Sequence, residues 1–190
     1  MITQANLESL LVDIRSATDR CSQSILVTID GAAGSGKSTL ARQLENQLRT
    51  EGRSVVTIHA DDLYNGWQDA LGESLTQLLT NHLLPGIATA ADFQLPRFDW
   101  VLAEYTTSII HPPSSIFIFE GVGSGQRVTR AAAALTIWID IPDELGLRRV
   151  LERDGESLRP EMESFQLAQR EHFLKEGTEA AAEYRFHGAP

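Results

Sequence analysis

Cysteine is nearly absent from this chain. Cys21 is its one thiol, which excludes an intramolecular disulfide framework and suits a reducing compartment. Positive charge is also scarce: 16 Lys and Arg against 26 Asp and Glu leave a formal net charge of −10. So acidic a chain lacks the basic surface that wide contact with nucleic acid requires, because such binding is driven by counterion release from phosphates. No apolar run reaches the length of a membrane span, and the opening Met1–Glu8 has neither the basic nor the apolar region of a secretory signal. A soluble cytoplasmic protein without a nucleic-acid or membrane partner is expected. Although aromatics make up only 7% of the 190 residues, the 42% hydrophobic fraction supports one substantial core. A single domain over residues 1–190 is therefore expected.

Glycine is concentrated where it carries the most information. Gly31-Ala32-Ala33-Gly34-Ser35-Gly36-Lys37-Ser38 is a complete G-x-x-x-x-G-K-S run. It follows the apolar stretch Ile25–Ile29 and opens a helical pattern from Lys37 to about Thr50. Strand, glycine loop and helix in that order form the context in which this motif binds phosphate. The glycines let successive backbone N–H groups turn inward, and the helix N-terminus adds unpaired donors and partial positive charge. Donor-phosphate contacts are assigned to Gly31, Ala32, Ala33, Gly34, Ser35, Gly36, Lys37, Ser38 and Thr39. Lys37 is expected in an open phosphate site, spanning the β- and γ-phosphates, with the Ser38 hydroxyl on Mg²⁺. ATP and Mg²⁺ are the implied cofactors.

Short β-branched runs alternate with helical patterns along the chain. A leading amphipathic helix is expected over about 6–20, and strands over Ile25–Ile29, Ser54–His59, Ser115–Phe119 and Leu135–Asp140. Glu183–Phe186 is a weaker candidate for the sheet edge. Helices are expected over Ala70–Leu84, Val101–Ile110, Thr129–Ala134, Glu144–Arg153 and Glu161–Lys175. Leu84–Trp100, with Pro85-Gly86 and Pro96, reads as an irregular surface excursion. The class is α/β, with a mainly parallel sheet flanked by helices, and ligands in such sheets gather at the strands' carboxyl ends. Gly31, Asp61, Glu120 and Asp140 stand at or just beyond those ends.

Asp61, after the second strand, suits a general base for an attacking hydroxyl or a place in the metal shell; a helix cap is the structural alternative. Glu120 ends an apolar strand and suits the metal shell, with Ser38. Arg149 and Arg153 share a helical face and could neutralise a transferring phosphoryl group, although a solvated basic face would look the same. Gly155 and Pro160 bracket a possible lid over about 148–160. Asp62, Tyr64, Arg97, Asp99 and Trp100 are candidates for the acceptor side, where aromatic and polar groups meet. The second glycine cluster, Gly121–Gly125, reads as a turn on that same side. His59 reads as a strand-end residue, and the five histidines show no metal-ligand spacing.

Together GAAGSGKST at 31–39, DDLY at 61–64, FEGV at 119–122 and RRVLERD at 148–154 resemble the uridine kinase-like branch of P-loop small-molecule kinases. That branch includes phosphoribulokinase, bacterial pantothenate kinase and nicotinamide riboside kinase. The resemblance implies a five-stranded parallel core in a three-layer P-loop fold and an arginine-bearing lid. It also implies that Asp61 is the acid facing the acceptor hydroxyl. The expected activity is ATP–Mg²⁺-dependent transfer to a hydroxyl of a small metabolite, a nucleoside first among them. A nucleoside monophosphate kinase and a regulatory NTPase are the alternatives, although the N-K-x-D element of a guanine switch is missing.

Overall fold

A computed structural model describes residues 3–188. Its centre is a five-stranded, wholly parallel sheet in the order β2-β5-β1-β6-β7. The strands are β1 (Ile25–Gly31), β2 (Val55–His59), β5 (Ile116–Glu120), β6 (Leu135–Asp140) and β7 (Tyr184–His187). The weak edge candidate is thus a strand, pairing Ile137 with Tyr184 and Ile139 with Phe186. Parallel pairing requires crossovers, and these run through helices on both faces.

Alternation along β1 sorts the two cores. Ile25, Val27 and Ile29 face α1 (Gln4–Arg20) and α2 (Lys37–Thr50), meeting Leu10, Leu11, Ile14, Leu40, Leu44 and Leu48. Leu26 points the other way, into a second core with Phe117, Phe119, Leu75, Val150, Met162 and Phe165. Thr28 and Asp30 follow Leu26 at the two-residue strand period, so they lie on that second face. Thr3 caps α1, its hydroxyl accepting from Asn6 N–H at 3.2 Å.

Three expectations between β2 and β5 are corrected. Val101–Ile110 is not a helix: β3 (Phe93–Asp99) and β4 (Glu104–His111) form an antiparallel hairpin. Val101, Leu102, Tyr105 and Ile109 happen to fall at helical spacing, but Tyr105 to Ile110 is mostly β-branched or aromatic and finds a partner strand. Leu84–Trp100 is accordingly not an irregular excursion. A short α3 (Gly66–Asp69) precedes the expected Ala70–Leu84 helix, which is itself divided into α4 (Glu73–Leu78), a wide turn at Leu79–Leu83, and the start of α5 (Leu84–Ala88). Pro85 would clash with the carbonyl four residues back in an uninterrupted helix, and the widened π-type turn relieves that clash.

The remaining helices are α6 (Arg127–Arg130), α7 (Asp143–Asp154), α8 (Arg159–Glu176) and α9 (Thr178–Ala181). Gly155, at φ +108°, ends α7, and a short 3₁₀ turn at Glu156–Leu158 leads into α8. Among the described residues no helix is long and apolar enough to cross a membrane.

Candidate active site

The end of β1 delivers Gly31 into the loop under severe constraint. Gly31 has φ +141°, and a Cβ there would lie 2.2 Å from the Ile139 carbonyl oxygen. Gly34 meets α7 just as closely, since its Cβ would lie 2.4 Å from the Gly146 oxygen. Glycine at both places lets P-loop and α7 backbones touch, which brings the α7 arginines over the loop. No side chain caps α2, whose N-cap is Gly36, so its first-turn N–H groups are left for a ligand. The buried Ser35 hydroxyl also lacks a partner. These orphan donors are the feature that fits a polyphosphate.

Lys37 corrects an expectation. It is not in an open site but only 7% exposed, donating from Nζ to the carbonyls of Gly31 at 2.9 Å and Ala32 at 2.8 Å. Burial depresses its pKa, while Glu120, Asp30 and Asp61 pull the other way. A bound polyphosphate would compete with those carbonyls for the ammonium.

A cleft of about 340 Å³ opens beside it, at the carboxyl ends of the strands. One end holds Lys37, Ser38, Asp61, Glu120 and Arg153. The other holds Tyr64, Trp67, Trp100, Met162 and Phe165. Asp61 sits on a 3₁₀ turn directly after β2. It is open to solvent within the cleft, yet the surrounding walls limit its hydration and raise its pKa, against the pull of Lys37. The Trp100 indole N–H donates to the Asp61 carbonyl at 3.2 Å, tying the hairpin to this turn.

Glu120 and His59 are register partners on adjacent strands, and His59 Nδ1 lies 2.6 Å from Glu120 Oε1. Burial opposes ionisation of Glu120, but the hydrogen bond from His59, the charge of Lys37 and a hydrogen bond from Ser38 hold its pKa below the ordinary carboxylate value. The Glu120 bond correspondingly raises His59. Ser38 and Glu120 therefore offer adjacent oxygens of the hard type that Mg²⁺ prefers. Among the described residues no group of three or more His, Cys, Asp or Glu could hold a metal alone, so phosphate oxygens would have to complete the shell.

Arg149 and Arg153 lie on the donor side. Arg149 Nη1 approaches the Gly34 carbonyl at 3.4 Å, and both arginines line a hollow with Gly36, Ser38 and Thr39. Arg153 is held by Asp154 through two 2.7 Å bonds, which keep it in the charged form.

On the acceptor side, Tyr64 and Trp100 are brought to the cleft, but Asp62, Arg97 and Asp99 are not. Asp62 is bonded to Arg97 at 3.0 Å and lines a separate hollow with His59 and His111. Asp99 Oδ1 accepts from the Val101 and Leu102 N–H groups, shaping the hairpin turn. Trp67 and Phe165 replace them, with Trp67 packed on Trp100 at 4.8 Å between ring centroids. Neither belongs to a motif, and both reach the cleft only through tertiary packing. Gly146 had a legible signal, because glycine inside a helix is disfavoured unless another backbone comes close. Asp30, beside the P-loop, and Gln169, which accepts from the Ala33 N–H at 3.0 Å, had none.

Comparison with known proteins gives consistent findings. Residues 23–89 match the adenylylsulphate kinase family model. Uridine kinase from Enterobacter sp. (strain 638) is 28% identical over 179 residues, 83% of each chain. Cytidylate kinase from Methanococcoides burtonii is 30% identical over 139 residues, 73% of this chain and 69% of that one. A solved structure described as a possible uridine kinase from Bacillus stearothermophilus superimposes with a TM-score of 0.71 at 20% identity, covering 98% of this chain and 100% of that one.

Proposed function

The chain belongs to the uridine kinase-like branch of the P-loop small-molecule kinases, and on that premise we propose that it phosphorylates a hydroxyl of an uncharged nucleoside with ATP. One observation carries the reading: Lys37, Asp61 and Glu120 share a single cleft with an aromatic wall. The donor end would hold the triphosphate on the loop from Gly31 to Thr39, with Lys37 neutralising charge that develops on the γ-phosphoryl group. Arg149 and Arg153 add charge from α7. When bound at Ser38 and Glu120, Mg²⁺ would supply charge neutralisation across the phosphate oxygens. Asp61 takes the proton as the acceptor oxygen bonds to phosphorus and the bond to the ADP oxygen breaks. Its raised pKa makes it a better base than an ordinary aspartate, and the charge of Lys37 favours its ionised form.

The segment from about 148 to 160 would act as the lid. Gly155, at φ +108°, breaks the helix between α7 and the 3₁₀ turn and gives such a lid its hinge position. A cytoplasmic setting belongs to the same proposal.

The cytidylate kinase relative favours a second reading, in which the acceptor already bears phosphate. The cleft argues for the first. Its cations, Lys37 and Arg153, lie at the donor end, whereas the acceptor end is built from Tyr64, Trp67, Trp100, Met162 and Phe165. Such a wall stacks on a flat ring and offers no charge partner for a second phosphate. The test is ADP release in a panel of nucleosides and their monophosphates. Release above the acceptor-free rate with nucleosides supports the proposal; release confined to monophosphates replaces it with the second reading.

A further inference from the structure

Asp30 is fully buried, and no ion pair reaches its carboxylate among the described residues. Three backbone N–H groups do. Oδ1 accepts from Gly31 at 2.7 Å and from Gly123 at 3.0 Å, and Oδ2 accepts from Gly125 at 2.8 Å. Gly31 belongs to the P-loop, while Gly123 and Gly125 belong to the loop that follows β5. Gly123 and Gly125 lie 93 and 95 residues from Asp30 in sequence, yet the two loops have this one side chain in common. Each also carries part of the site. The Gly31 carbonyl holds Lys37, and Val122, next to Gly123, lines the cleft and accepts from the Tyr64 hydroxyl at 2.7 Å.

We propose that Asp30 is a positioning residue for phosphoryl transfer: its carboxylate clamps the P-loop to the Gly121–Gln126 loop and so fixes the donor wall against the acceptor wall. A neutral side chain of the same size cannot do this. An amide at position 30 would keep one acceptor oxygen but set an NH₂ group against an N–H donor. A hydrophobic residue would leave N–H groups buried without partners. Glu120 enters the cleft from the residue before this loop, so the clamp also bears on the far side of the site.

The protonation state should decide whether the clamp is whole, because a neutral acid turns one of its oxygens into a donor. Burial raises Asp30 to about 6 despite its three N–H partners and the charge of Lys37. Lys37 of α2 is the charged group facing it. Tyr64, after β2, and His172 of α8, which lies against Gly123, are the nearby titratable groups. Burial keeps both uncharged here, raising the tyrosine and lowering the histidine.

The experiment has two arms. In the first, ¹⁵N-labelled wild-type protein without nucleotide is titrated from pH about 5 to about 7.5. The amide signals of Gly31, Gly123 and Gly125 are expected to move together with one midpoint near 6, and in Asp30→Asn they should not titrate. In the second, kcat at saturating ATP and acceptor is followed against pH. Wild type should lose activity below about 6 more steeply than Asp30→Asn, which should be at least about tenfold slower at neutral pH and keep only the acidic limb that Asp61 sets. Amides that titrate with separate midpoints in wild type, or that titrate in Asp30→Asn as they do in wild type, overturn the clamp. So does an Asp30→Asn enzyme with wild-type kcat and an unchanged acidic limb. The wild-type titration of the first arm needs neither an acceptor nor a foldable variant, so it tests the clamp even if the kinase reading fails.

Discussion

His59 Nδ1 and Glu120 Oε1 lie 2.6 Å apart at the ends of two parallel strands whose register makes the residues neighbours. The bond aims a buried carboxylate at Ser38 and away from the strand edge. His59→Leu is therefore expected to raise the Mg²⁺ concentration for half-maximal turnover several-fold, with a smaller change at saturating metal. The pair also has a pH signature. Because Glu120 raises His59, the stabilisation is complete below the ordinary histidine value and fades as pH climbs through the raised one. Without metal or nucleotide, the difference in Tm between wild type and His59→Leu should be largest near pH about 6 and shrink towards pH about 9. A difference that grows with pH would contradict the assignment.

Replacing Lys37 by Met should reduce transfer by at least about a hundredfold, because the cation that neutralises the transferring group is gone. Lys37 also faces Asp30, Asp61 and Glu120, so its loss leaves carboxylates uncompensated. The fold should survive, with the drop in Tm smaller at pH about 5, where protons can replace the ammonium, than at about 8. Circular dichroism melts at the two pH values, beside coupled ADP release, check both parts.

Asp61→Asn separates base from metal ligand. Loss of a general base lowers transfer by about a hundredfold, or less where the transition state is loose, and should leave nucleotide binding by calorimetry unchanged. Binding and turnover that fall together would move Asp61 into the metal shell. Unchanged transfer would remove it from the chemistry.

Gly146→Ala tests the contact between P-loop and α7. Alanine in an exposed helix interior normally gains about 1 kcal/mol over glycine. Here the added Cβ would sit 2.5 Å from the Ala33 carbonyl oxygen, so the loop must be pushed away. The expected result is a lower Tm together with weaker ATP binding. A higher Tm with unchanged affinity would show that the two backbones need not touch.

The local sequence determined the site's donor half. The P-loop was legible because its physics is contained in a few consecutive residues: an apolar strand, glycines that permit positive φ, and a helix start. The ends of β2 and β5 were legible too, since Asp61 and Glu120 each follow a short apolar or β-branched run. The acceptor half was different. Trp67, Trp100 and Phe165 come from α3, the hairpin turn and α8, and only packing brings them together. Asp62, Arg97 and Asp99 had suitable chemistry, but Arg97 pairs with Asp62 to tie the hairpin to the turn after β2, and Asp99 shapes the hairpin turn. That hairpin escaped sequence analysis because β4 is largely exposed, so burial imposes no clear alternation, and its pairing with β3 is a tertiary fact. Asp30 is the sharpest case. Its neighbours in sequence make it look like the last residue before a phosphate loop, whereas its role depends on two glycine N–H groups delivered by a distant strand. Hydrogen bonds within a turn can be read from spacing; those that join one turn to another exist only once the sheet has set its strand order.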